Sequence, residues 1–169
     1  MAETVYLLLG SNIGDRERNL AAAATRLESL EGFELIAASS IYISEAVDMV
    51  GENPSFLNQV IKGEYQFTPM ELLRETERIE QELGRSDKGR KMSRSLDCDI
   101  LLFGETVSTS EQLTIPHKQL LHRPFALIPL LELDPMVVHP VTHKPIADYL
   151  KDRDRQSVLL YKDHVAGNR

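Results

Sequence analysis

The chain has 169 residues, 42% of them apolar and 27% charged, which is the composition of one globular domain with room for a proper core. Its net charge of −7, from 19 basic and 26 acidic residues, argues against general binding to nucleic acid or anionic membranes. A single cysteine, Cys98, excludes an internal disulfide, and with neither a leader pattern nor a membrane-length apolar run, a cytoplasmic protein is expected.

Thr4–Leu9 is a short apolar run that ends at Gly10-Ser-Asn12-Ile-Gly14, and it predicts a buried strand followed by a turn. Asp15 suits the N-cap of a helix from Arg16 to about Leu30, with Leu20, Ala23, Ala24, Leu27 and Leu30 at helical spacing. After Gly32, Phe33–Ser44 predicts one long strand, and 45–54 a loop containing Gly51, Asn53 and Pro54. Phe56–Tyr65 predicts its antiparallel partner. Thr68-Pro-Met-Glu71 is a capping box with proline at the first helical position, opening a helix that ends at Gly84. A strand is expected over Leu96–Phe103, and a small hairpin excursion over Gly104–Leu113. Pro124–Glu132 predicts a third helix, kinked or cut short by Pro129. A short helix near Ile146–Leu150 and a final strand at Val158–Tyr161 complete the chain. The order strand, helix, strand, strand, helix, strand predicts an α+β ferredoxin-like core (β-α-β-β-α-β). Its antiparallel sheet carries packed helices, with C-terminal helical extras, in a single domain over 1–169.

Chemistry concentrates at Arg94-Ser-Leu-Asp97-Cys-Asp99-Ile. On a strand, Asp97 and Asp99 project to one face and Cys98 to the other, into the core. Two carboxylates on a rigid strand suit a hard cation such as Mg²⁺. The preceding loop, 85–94, carries five cations and one acid, a local exception in an acidic chain. Metal-binding acids beside a basic loop point to a polyphosphate, and two Mg²⁺ ions there would orient an in-line displacement. Gly10-Ser-Asn12-Ile-Gly14 lacks the Gly-Lys-Ser/Thr ending of a Walker A loop, so it reads as a tight turn or a wall of a ligand pocket. His139-Pro-Val-Thr-His143 has helical metal-ligand spacing, but Pro140 opposes a helix and no third ligand is near, so zinc is not expected. His117, after a proline at a loop start, suits either a structural role or a contact to phosphate.

Several segments together carry a resemblance: Gly10-Ser-Asn12, Ser39-Ser-Ile-Tyr42, Phe56-Leu-Asn58, Arg78-Ile-Glu80, Gly84-Arg85, Arg94-Ser-Leu-Asp97-Cys-Asp99-Ile, Leu102-Phe-Gly104, Leu113-Thr-Ile-Pro-His117 and Arg123-Pro-Phe125. With these the chain resembles the 6-hydroxymethyl-7,8-dihydropterin pyrophosphokinases of folate biosynthesis, nearly end to end. The resemblance implies transfer of pyrophosphate from ATP to the hydroxymethyl oxygen of the pterin, releasing AMP. It implies that Asp97 and Asp99 hold two Mg²⁺ ions and that Arg85 and Arg94 act on the triphosphate as catalytic arginines. By the same resemblance, Glu80, Ile100, Thr114, His117 and Arg123 contact the nucleotide. Phe56 and Phe125 sandwich the pterin, Asn58 reads its polar edge, and Ser44 and Val47 line the pocket.

The chain departs from the family pattern at Lys91-Met-Ser, where a Trp-Gly-Pro usually precedes the arginine matching Arg94, and at Asp87, Gln112 and Lys118. The expected partners are ATP and the pterin alone, with no nucleic acid and no membrane, acting on a monomer. The alternative is a non-catalytic ferredoxin-like module that binds nucleotide or pterin through a degenerate loop. A phosphohydrolase using the same acids is a third possibility.

Overall fold

The structure is a computed structural model, and it describes residues 1–44, 55–83 and 96–163. Strand β1 (Glu3–Ser11) is almost continuously apolar because it lies at the centre of a sheet with both faces covered. Val5, Leu7 and Leu9 enter one core cluster, and Tyr6 and Leu8 enter another on the opposite face. β1 pairs antiparallel with β4 (Phe56–Tyr65) on one side and β5 (Asp97–Phe103) on the other. β2 (Phe33–Ala38) and β3 (Ile41–Ser44) lie along the far edge of β4, and β8 (Val158–Lys162) adds outside β3. The path β5-β1-β4-β3-β8, all antiparallel, is the expected ferredoxin-like arrangement extended by one strand.

Helices α1 (Arg16–Glu28) and α2 (Pro69–Leu83) cover one face, burying Leu20, Ala23, Leu27, Leu72 and Ile79 in the first cluster. Full burial of each such leucine is worth about 1.5–3 kcal/mol. Both helices start as their sequence dictates. Asp15 accepts from the Arg18 amide at 3.1 Å, and Thr68 and Glu71 exchange bonds at 2.8 and 3.2 Å as a complete capping box. Helix α3 (Pro124–Leu133) covers the other face with Ala126, Leu127 and Leu130.

Three expectations are corrected. The strand predicted over Phe33–Ser44 is two strands, because Ser39 turns its hydroxyl onto the Val60 amide at 2.9 Å and replaces a ladder bond. The Ser40 amide meanwhile donates to Glu132 on α3. Of the kink or early stop expected at Pro129, the early stop does not occur: helix α3 runs on to Leu133, since a single proline removes one backbone bond while burial on the sheet holds the rest. The helix predicted near Ile146–Leu150 is a 3₁₀ turn, Ile146–Tyr149, and a second such turn follows at Asp152–Gln156. The predicted excursion after β5 is a small hairpin of β6 (Ser108–Thr109) and β7 (Thr114–Ile115). No helix among the described residues is long and apolar enough to cross a membrane.

Candidate active site

A cavity of about 1020 Å³ opens on the α3 face, at the end of the sheet where α3 begins. Its floor follows from strand register. Asp97 pairs with Gly10, Gly10 with Asn58 and Asn58 with Tyr42, so one row crosses the sheet from β5 to β3. The next row runs Phe56, Ser44, Val158. The strand period of two then places Asp97, Asp99, Asn58, Phe56 and Ser44 on the same face. Cys98 faces the other way and is 4% exposed; burial, with Glu80 and the two aspartates nearby, raises its thiol well above the ordinary range, so it stays a neutral core residue.

The cavity brings together seven of the expected residues: Ser44, Phe56, Asn58, Asp97, Asp99, Arg123 and Phe125. Asn58 is buried, and its Nδ2 donates to Ser44 Oγ at 2.8 Å, so its neighbour orients the amide. Gly10 lines the floor between the acids and Asn58. A Cβ there would lie 3.5 Å from Asn58 Oδ1 and 3.7 Å from Phe56, in ordinary contact but projecting into the cavity. The turn after Gly10 is pinned by Asn19, whose Nδ2 donates to Ser11 Oγ and to the Ile13 carbonyl. Arg123 and Phe125 come from the start of α3, where the Arg123 guanidinium lies 5.6 Å from the Phe125 ring centre.

Glu80, Ile100, Thr114 and His117 do not line the cavity; they gather along the outer edge of β5 beside it. Buried Glu80 accepts the Cys98 amide at 2.8 Å. The His117 amide donates to the Leu101 carbonyl at 3.0 Å, and Thr114 lies on β7, which packs against β5. The side chain of Ile100 enters the core, leaving its backbone at the edge. His117 accepts the Gln119 amide at Nδ1, so its neutral ring carries the proton on Nε2. Burial, with Arg123 and Lys118 nearby, lowers its pKa and keeps it neutral at pH 7. Arg85, Arg94 and Val47 lie outside the described residues.

Two half-exposed carboxylates on one face form a hard oxygen donor set that fits Mg²⁺, which takes a few protein oxygens and fills its remaining positions with substrate phosphate and water. Among the described residues no group of three or more His, Cys, Asp or Glu could hold an ion. His139 and His143 instead belong to a turn, in which His139 Nδ1 accepts the Val141 and Thr142 amides. Sequence reasoning missed the wall made by Gln156, Ser157, Val158 and Leu159. Nothing local in those residues signals a pocket; only the pairing of β8 with β3 brings them there.

The sequence profile described as 7,8-dihydro-6-hydroxymethylpterin-pyrophosphokinase matches residues 6–135. An Aquifex aeolicus protein named 2-amino-4-hydroxy-6-hydroxymethyldihydropteridine pyrophosphokinase is 38% identical over 146 residues, covering 86% of this chain and 89% of that protein. A Bacillus subtilis protein of the same name is 38% identical over 162 residues, covering 96% and 92%. The folic acid synthesis protein fol1 of Schizosaccharomyces pombe is 42% identical over 156 residues, yet this chain spans only 21% of its length. Among solved structures, a Plasmodium falciparum HPPK-DHPS chain superposes with a TM-score of 0.70 at 16% identity, over 94% of this chain and 47% of that one, which supports the fold. The chain belongs to the 7,8-dihydro-6-hydroxymethylpterin-pyrophosphokinase family, the ATP-dependent diphosphokinases of folate synthesis.

Proposed function

We propose that residues 1–169 act as a single, monomeric pyrophosphokinase domain in the cytoplasm, carrying the pyrophosphoryl group of ATP to the hydroxymethyl oxygen of 6-hydroxymethyl-7,8-dihydropterin. The observation that carries this reading is one cavity that joins a carboxylate pair, a cationic side chain and two aromatic rings. At about 1020 Å³ it stands at the upper end of small-molecule sites, roughly 300–1,000 Å³, with room for the ring beside a triphosphate.

The pterin ring lies between Phe56 and Phe125, with its edge on Asn58 and Ser44. The nucleotide lies along the outer edge of β5, where Glu80, the Ile100 backbone, Thr114 and His117 gather. This brings the triphosphate over Asp97 and Asp99. Those two residues would hold two Mg²⁺ ions, which supply charge neutralisation on the β and γ phosphate oxygens. His117 donates through Nε2 and Arg123 through its guanidinium to phosphate oxygens, and Arg85 and Arg94 are assigned to the same role. The hydroxymethyl oxygen forms a bond to the β-phosphorus as the bond from that phosphorus to the α,β-bridging oxygen breaks. AMP leaves with the bridging oxygen, and the hydroxymethyl proton goes to solvent. Positioning two reactants in line is the main contribution of such a site.

The test is AMP formation from ATP and Mg²⁺ with and without the pterin alcohol. Stoichiometric AMP only when both are present is expected. ATP loss without the pterin would favour a phosphohydrolase, and tight binding without AMP a non-catalytic module. The chain keeps both acids and both rings, and relatives at 38% identity are named as pyrophosphokinases, so the catalytic reading is preferred.

A further inference from the structure

The cavity does not stop at the pterin-sized space between Phe56 and Phe125. It continues across β3 to β8, where the C-terminal segment forms its far wall. Val158, 6% exposed, stands opposite Ser44 in the register of β3 and β8, and this pairing fixes the position of Gln156 two residues earlier. If the ring lies as argued above, on which this inference rests, its hydroxymethyl group points towards Asp97 and Asp99. The opposite end of a 6-substituted pterin is its pyrimidine edge, with donors at N3 and the 2-amino group and acceptors at N1 and O4. That edge therefore points at β8.

That edge has four hydrogen-bonding positions, and among the described residues few side chains of the cavity wall are free to meet them. The Asn58 amide gives one N–H to Ser44, and its Oδ1 lies on the Gly10 side. Ser157 commits its hydroxyl to the Asp154 carbonyl at 2.7 Å. Gln156 lies in the same wall, and its side-chain amide offers an acceptor beside a donor, the pattern that matches neighbouring groups on the pyrimidine edge.

We infer that Gln156 is a specificity-determining residue that reads the 2-amino end of the pterin from the end of the 3₁₀ turn that leads into β8. The test is calorimetric binding of 6-hydroxymethylpterin and of 6-hydroxymethyllumazine, in which an oxo group replaces the 2-amino group, to protein carrying Mg²⁺ and α,β-methylene-ATP. In Gln156→Ala the pterin should bind about three- to tenfold more weakly, the worth of one neutral hydrogen bond, and the preference over lumazine should narrow by the same factor. Gln156→Glu should keep pterin binding and reject lumazine further, because a carboxylate only accepts. Pterin affinity and preference both unchanged in Gln156→Ala would overturn the inference, as would an equal loss for both rings. Asn58→Ala separates this from the site reading: a loss of pterin binding with nucleotide binding kept places the ring in the cavity, and no loss sinks the placement itself whatever Gln156 does.

Discussion

Asp97 and Asp99 share a face because β5 alternates, and the residue between them is locked into the core by burial. Replacing either with alanine removes no core contact and should leave the fold intact. It should lower AMP formation by at least about 10²-fold, the scale on which single charge-stabilising groups act. Steady-state rates, with circular dichroism to confirm folding, check this; turnover near that of the parent in either variant would remove both residues from the chemistry. Phe125→Ala should weaken pterin binding about tenfold or more while nucleotide affinity stays, since stacking on one ring is worth roughly 1–3 kcal/mol. Equal losses for both ligands would contradict the sandwich. Gly10→Ala introduces a methyl at ordinary contact distance from Asn58 and Phe56. It should fold normally and raise the KM for the pterin, and an unchanged KM would show that the ring keeps clear of the floor.

At the scale of elements, the sequence is most readable where local chemistry decides. The Thr68–Glu71 capping box was fully legible, and it predicts that Thr68→Ala costs about 1 kcal/mol in urea unfolding without touching turnover. The alternation of Asp97, Cys98 and Asp99 also read directly, as did the strands of the core. What could not be read depends on partners distant in sequence. The break at Ser39–Ser40 follows from Glu132 on α3 and Val60 on β4, and no local pattern announces either contact. Pro129 alone suggests a kink or an early stop in α3, but the helix continues past it because packing on the sheet outweighs one missing amide. The wall at Gln156–Leu159 exists only because β8 pairs with β3. The candidate site was legible through the family resemblance more than through spacing: two aspartates alone would not have located Phe56 or Phe125.

The molecule as a whole is three layers, with α1 and α2 on one face of the sheet and α3 on the other, and the site occupies the end of the α3 layer. Its stability should fall on mild acidification. His117 and His139 both have lowered pKa values through burial, and both accept backbone amides at Nδ1. A native pKa below the unfolded value, about 6.5, means the unfolded chain binds protons first. Their contribution is complete above that pH and is lost as pH falls towards the lower native values. Urea midpoints at pH 7 and 5.5 should therefore differ, and less so in a His117→Gln, His139→Gln double variant; an unchanged difference would assign the acid sensitivity to other groups.

We propose that one cavity holds the acid pair, the triphosphate and the stacked ring together. A crystal structure with Mg²⁺, α,β-methylene-ATP and 6-hydroxymethylpterin tests it most directly, because the methylene group replaces the bridging oxygen at the bond that must break. Mg²⁺ is expected between the phosphates and Asp97 and Asp99, the ring between Phe56 and Phe125, and the hydroxymethyl oxygen facing the β-phosphorus. Phosphates bound away from the two aspartates, or a ring outside the aromatic pair, would contradict it.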